Sequence, residues 1–188
     1  MWNLKVDLPT FDKTTAQLRK TRQISSSQKR DRLPTFDELE SLTKYFVRKW
    51  NHSSYSYPMH LIMWFAIFSC RREAEITRMQ LDDYDETNKL WKILDLKNPN
   101  GSKGNHKEFS VHDDCQQMID LLLDGDIRHR MLKRGYDENL LVPLSPKTMG
   151  SEFRKACKLL GIDDLHFHDL RHEGCTRLAE KGMTIPQI

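Results

Sequence analysis

At 188 residues the chain suits one domain with an arm, and 38% hydrophobic residues can fill a core. Four widely spaced cysteines with no CxxC pair exclude a disulfide framework and read as reduced thiols, while the longest apolar run, Leu61 to Cys70, is about half of what a bilayer-spanning helix needs. A net charge of +3 does not by itself name a nucleic-acid partner.

In chain order, residues 1–33 read as a basic linker or arm: Lys13, Arg19, Lys20, Arg22, Lys29, Arg30 and Arg32 stand among few apolar anchors. No secretory apolar segment follows Met1, so a cytoplasmic location is expected. Order is expected from Leu33, with Thr35 and Glu38 forming a capping box. The helix they open runs to about Trp50, with Leu39, Leu42, Phe46 and Val47 as its apolar stripe. Met59 to Phe68 is a strongly apolar helix near the centre of the core, and Glu73 to Met79 a short one. Lys89 to Leu96 alternates as a strand, turn residues follow, and Glu108 to His112 returns, giving a small antiparallel hairpin with a basic tip. Helices are expected over Asp114 to Leu123 and Asp126 to Lys133, then an extended Leu140 to Leu144. Thr148 caps a helix from Met149 to Leu160 that Gly161 closes. A further helix starts near Asp169, a polar segment runs from Cys175 to Lys181, and Thr184-Ile185-Pro186 reads as one more helix start. The pattern is α+β, mainly α-helical.

Two clusters carry chemistry. Phe68-Ser69-Cys70-Arg71-Arg72-Glu73-Ala74-Glu75 places two arginines at the edge of an apolar helix, where an unpaired charge is costly, and Glu75 is spaced to orient Arg72. The bland alternative is an exposed ion pair. His166-Phe167-His168-Asp169-Leu170-Arg171-His172 gathers three imidazoles and a guanidinium in seven positions. On a helix, His168 and Arg171 point the same way and suit a phosphate, whereas the bland alternative is a solvated helix end.

The order of these pieces resembles the catalytic domain of the tyrosine recombinases, the phage integrase family. Arg-x-x-Glu at Arg72 and Glu75 is followed by the acidic turn Leu81-Asp82-Asp83-Tyr84-Asp85. Next come a hairpin with Asp95-Leu96-Lys97-Asn98-Pro99 and Lys103-Gly104-Asn105, then the His-x-x-Arg box at His168 and Arg171. The resemblance covers residues 34–188 and implies that family's catalytic-domain fold. It also implies site-specific DNA recombination, as in phage or mobile-element integration and excision, through a 3′-phosphotyrosine and without a cofactor or metal.

The implied catalytic set is Arg72, Lys97, His168 and Arg171, with Glu75 and His172 supporting and Lys103 the fallback for Lys97. Implied partners are double-stranded attachment sites and further copies in a tetramer on DNA, in the cytoplasm of a bacterial host. The family's nucleophilic tyrosine follows the His-x-x-Arg box, whereas Tyr45, Tyr55, Tyr57, Tyr84 and Tyr136 all precede it. None is assigned that role. The expectation is a catalytic-domain fragment that lacks its nucleophile and does not cleave by itself. Two other classes compete. A DNA-binding module without chemistry leaves Arg72 and Lys97 unexplained. A metal site on His166, His168, His172 and Cys175 must accommodate Arg171 in its middle. Relaxation of supercoils without strand exchange would mark a type IB topoisomerase instead.

Overall fold

The computed structural model describes residues 31–52, 55–95, 104–133 and 137–183, together with Gln17. Packing separates Met1–Asp31 from Arg32–Ile188, and the fold below is that of the second unit. Residues 1–30 of the proposed basic arm apart from Gln17, Thr184 to Pro186, and the hairpin tip with Lys97 and Lys103 lie outside the described residues, whereas Arg32 of the arm is described and donates to the Glu38 carboxylate.

Helix α1 (Phe36–Trp50) opens on the expected capping box. Thr35 Oγ1 accepts from the Glu38 N–H, and the Glu38 carboxylate accepts from the Thr35 N–H. Leu39, Leu42 and Phe46 are buried, but Val47, expected in the same stripe, lies at the exposed edge. Helix α2 (Met59–Ser69) is apolar on every face, so it can be stable only where neighbours surround it. It is the hub of the core, touched by α1, α4 (Asp113–Leu123), α6 (Pro146–Leu160) and α7 (Asp169–Glu180). Cys70 ends α2 in the left-handed conformation at φ 53°, a cost of about 1 kcal/mol for a non-glycine residue. That turn reverses the chain and leads into Arg71 and Arg72.

Helix α3 (Glu73–Ile76) is shorter than expected, because the chain beyond it pairs elsewhere. Leu81 donates to the Asn139 carbonyl and Leu141 to the Met79 carbonyl, which ties residues 79–81 to the extended segment at 139–141. The sheet has three antiparallel strands in the order β1 (Tyr84–Asp85), β2 (Leu90–Ile93), β3 (Lys107–Ser110). Strand β1 was not expected; two residues are too few to alternate visibly. Trp91 and Ile93 turn into the core while Lys92 faces out, as the alternation implies. Trp91 stacks on Tyr84 at 4.7 Å and donates its indole N–H to the Gln80 carbonyl.

Helix α5 (Gly125–Leu132) follows α4 directly, capped by Asp124. Helix α6 begins three residues before the expected Met149. Ser145 is the cap, accepting from the Thr148 N–H, and Pro146 sits at the first turn, where its missing N–H costs nothing. Gly161 closes α6 at φ 66°. Helix α7 runs unbroken to Glu180, so Cys175 to Lys181 is its second half and not a separate segment.

Glu152 on α6 clamps α1: Lys49, Lys155 and the Tyr55 hydroxyl all donate to its carboxylate. Burial pushes the Glu152 carboxyl up, but those donors outweigh it and hold the pKa at about 2. A carboxyl depressed on folding stabilises the protein above its unfolded pKa near 4.5 and loses that contribution as pH falls toward about 2. Urea unfolding should therefore show up to about 3 kcal/mol lost across that window, and Glu152→Gln should remove most of the dependence. An unchanged acid limb in the variant would show that Glu152 is not the responsible group.

Candidate active site

The anion-binding face forms where the end of α2, the start of α3 and the start of α7 meet. Arg72 is the N-cap residue of α3, and its backbone N–H donates to Glu75 Oε2. Its guanidinium Nη1 donates to Glu75 Oε1 at 2.8 Å. Glu75 is only 3% exposed, whereas the Arg72 side chain keeps 45% of its surface. The carboxylate thus holds the stem and one edge of the guanidinium and leaves the rest of the fork open.

The same carboxylate faces a second arginine across 96 positions of sequence. Arg171 Nη1 lies 3.6 Å from Glu75 Oε2 and donates to the Cys70 carbonyl at 2.8 Å. Two guanidinium charges against one carboxylate leave about one positive charge unneutralised. The left-handed turn at Cys70 presents the carbonyl that Arg171 uses.

His168 precedes α7 as its N-cap residue, and its ring meets His172 edge-on, with centroids 5.0 Å apart. Partial burial of the His168 ring, then the like charges of His172, Arg72 and Arg171, lower its pKa below the usual imidazole range. Neutral imidazole is therefore the form at neutral pH, able to accept or donate one hydrogen bond. Following the His168 ring by NMR through a pH titration should show an unusually low midpoint, and His172→Phe should move it upward. No upward movement would mean that His172 does not act on that ring.

Asp169 follows His168 at the first position of α7. It turns back, buried, to accept from the His166 N–H at 2.8 Å and so fixes the entry to α7. Glu173 accepts from Arg177 at 2.6 Å. Arg71 is held elsewhere by its own contacts: its Nε donates to the Ser69 carbonyl and its guanidinium lies over Phe109, 4.9 Å from the ring centre. A cleft of about 500 Å³ adjoins His168, with Lys147 and Arg154 of α6, His166 and Glu73 among its walls.

Four of the six expected site residues, Arg72, Glu75, His168 and Arg171, converge with His172 beside them; Lys97 is outside the described residues. The base of its hairpin is held, however. The Gly104 N–H donates to Asp95 Oδ1 at 2.8 Å, and Arg78, just after α3, reaches the Asp95 carbonyl. The sequence reading missed the Cys70 carbonyl and the second partner of Glu75, because neither leaves a local pattern. Among the described residues, no three His, Cys, Asp or Glu side chains gather as a metal-ligand set. His166 faces Asp164 and Asp169, and His168 faces His172.

Comparison with known proteins gives the same picture. The model of the phage integrase family matches residues 33–188. A shufflon-specific DNA recombinase of Escherichia coli is 25% identical over 186 residues, which are 95% of this chain and 40% of that protein. Among solved structures, the lambda integrase catalytic core covers 82% of this chain and 89% of its own, at 22% identity and a TM-score of 0.57. The Tn1549 transposon integrase in complex with transposon right-end DNA covers 96% and 69%, at 13% identity and a TM-score of 0.63. A lambda integrase tetramer bound to a Holliday junction covers 95% and 54%, at 18% identity and a TM-score of 0.58. The chain thus spans less than half of its curated relative.

Proposed function

Because this chain belongs to the phage integrase family, we propose that it supplies the phosphate-activating part of a site-specific DNA recombinase that cuts and rejoins strands through a 3′-phosphotyrosine. The observation that carries this reading is the buried Glu75 carboxylate, which holds Arg72 and Arg171 to one side while their remaining N–H donors stay available. Such a pair binds two non-bridging oxygens of one phosphodiester and neutralises the charge that grows on them in the transition state.

In the step proposed, a tyrosine oxygen attacks the phosphorus, the 5′-oxygen leaves, and the bond energy is kept in the phosphotyrosine ester. Rejoining reverses the step without ATP. Neutral His168 hydrogen-bonds the phosphate and manages the tyrosine proton, with His172 beside it. Lys97, or Lys103 in its place, delivers a proton to the leaving 5′-oxygen. No tyrosine of this chain is assigned as nucleophile.

Double-stranded attachment sites and further copies of the protein, assembled as a tetramer on DNA, are the partners this reading implies. The cytoplasm of a bacterial host is the implied setting; the described residues include no helix long and apolar enough to cross a membrane.

The test uses the complete reading frame and nicked duplexes from the ends of the element that carries it. A protein–DNA adduct that survives detergent, formed without ATP and attached at a 3′-phosphate, is the expected result. Firm, specific binding with no adduct would return the protein to the class of DNA-binding modules.

A further inference from the structure

The cleft of about 500 Å³ beside His168 holds a carboxylate that the phosphate chemistry does not use. Glu73 opens α3 directly after Arg72 and is half-buried on the cleft wall. Among the described residues its carboxylate has no hydrogen-bond or ion-pair partner. Both of its oxygens face α6 where that helix has no side chain: a Cβ placed on Gly150 would lie 2.9 Å from Oε1 and 3.3 Å from Oε2. Gly150 thus makes room for the carboxylate and offers it no side-chain donor.

Lys147 and Arg154 of α6 are exposed on the same walls, beside His166 and His168. Burial pushes the Glu73 carboxyl above the ordinary range, and Arg154, acting through space, draws it only part of the way back. A half-buried carboxylate without a donor is costly, and a ligand that brings a donor removes the cost. A duplex held at Arg72, His168 and Arg171 has backbone phosphates to offer Lys147 and Arg154. Those phosphates cannot pair with a carboxylate. The groups of a duplex that can donate to Glu73 are the exocyclic amines on its base edges.

We propose that Glu73 is a base-reading residue, accepting a hydrogen bond from the N4 amine of a cytosine next to the cleaved phosphate, with Lys147 and Arg154 on the adjoining backbone phosphates. This deepens the recombinase reading and rests on it. Cytosine is favoured by what lies beside its donor. In the major groove adenine also carries an amine, but its N7 acceptor stands next to that amine and repels a carboxylate. Guanine and thymine present only acceptors there. Cytosine alone offers an amine with no acceptor of its own beside it. Glu73 is the chain neighbour of Arg72, so the base it reads adjoins the phosphate that Arg72 holds.

The test uses the complete reading frame and duplexes from the ends of its element, randomised over the base pairs that flank the cleaved phosphate. Covalent adducts are recovered and sequenced. The parent is expected to enrich cytosine at one of those positions by about ten-fold over each other base. Glu73→Ala should lose that preference and keep those at other positions. Glu73→Gln, whose amide pairs with N6 and N7 of adenine, should move it to adenine. Inosine, which lacks the minor-groove amine, should leave the preference intact when it replaces the paired guanine. Should the alanine variant fold poorly, the glutamine variant, of the same shape, decides. A cytosine preference unchanged in either folded variant, one abolished by inosine, or a parent indifferent to the base would overturn the proposal. A parent that forms no adduct at all fails the recombinase reading itself, and the inference falls with it.

Discussion

Replacing Arg171 by alanine is expected to slow formation of the covalent adduct by about 10²–10³-fold, and Arg72→Ala by a similar factor. Duplex affinity should change far less, by about three-fold, because one phosphate contact among many contributes little to total binding. The asymmetry comes from charge. The scissile phosphate gains negative charge only in the transition state, so donors aimed at it act on rate more than on affinity. Arg171→Lys should recover little, since an ammonium cannot keep the Cys70 carbonyl and a phosphate oxygen engaged with the same planar fork. Glu75→Gln should also slow the reaction, by releasing both guanidinium groups from their shared anchor. Single-turnover adduct formation on a nicked duplex separates rate from binding. Adduct formation within about ten-fold of the parent in both alanine variants would remove Arg72 and Arg171 from the chemistry.

The largest loss of stability is expected at Gly174. A Cβ there would lie 1.9 Å from the Ile67 carbonyl oxygen and 2.9 Å from both the Ile67 carbonyl carbon and Cys70 Sγ. Two of those atoms are backbone of α2, so no side-chain rotation relieves the clash and the helices must separate. Gly174→Ala should cost about 3 kcal/mol in urea unfolding, even though alanine is the better helix former by about 1 kcal/mol. Gly125→Ala is the control: its added Cβ meets nothing within 4 Å, and the change should stay within about 0.5 kcal/mol. A loss below about 1 kcal/mol at Gly174 would mean that α2 and α7 are not in backbone contact. Separation would also reach the site, because α7 carries Arg171 and His172 while the end of α2 carries the Cys70 carbonyl.

Gly174 illustrates what escapes a linear reading. It stands three residues beyond Arg171 of the His-x-x-Arg box and looks like a weak point of the helix; its use appears only once α2 lies against it. The start of α6 was misplaced for a more local reason. Ser145 and Thr148 are both competent caps, and the choice depends on Pro146 fitting the first turn. Val47 has the right spacing for the α1 stripe, but the core ends before reaching it. Glu75 was legible as a partner for Arg72 three positions away, and not for Arg171, to which no periodicity connects it.

What the amino-acid order determined by itself are the short-range features: the capping box at Thr35 and Glu38, the all-round apolar α2, the alternation that buries Trp91 and Ile93, and the left-handed stop at Gly161. These depend on hydrogen bonds and side-chain directions within a few residues, so spacing encodes them. Only the packed structure decided that one carboxylate serves two arginines and that a backbone carbonyl anchors the second. Those contacts join residues about a hundred positions apart. They exist because α7 closes onto α2 at a glycine, a fit set by volume in three dimensions, for which chain spacing has no signature.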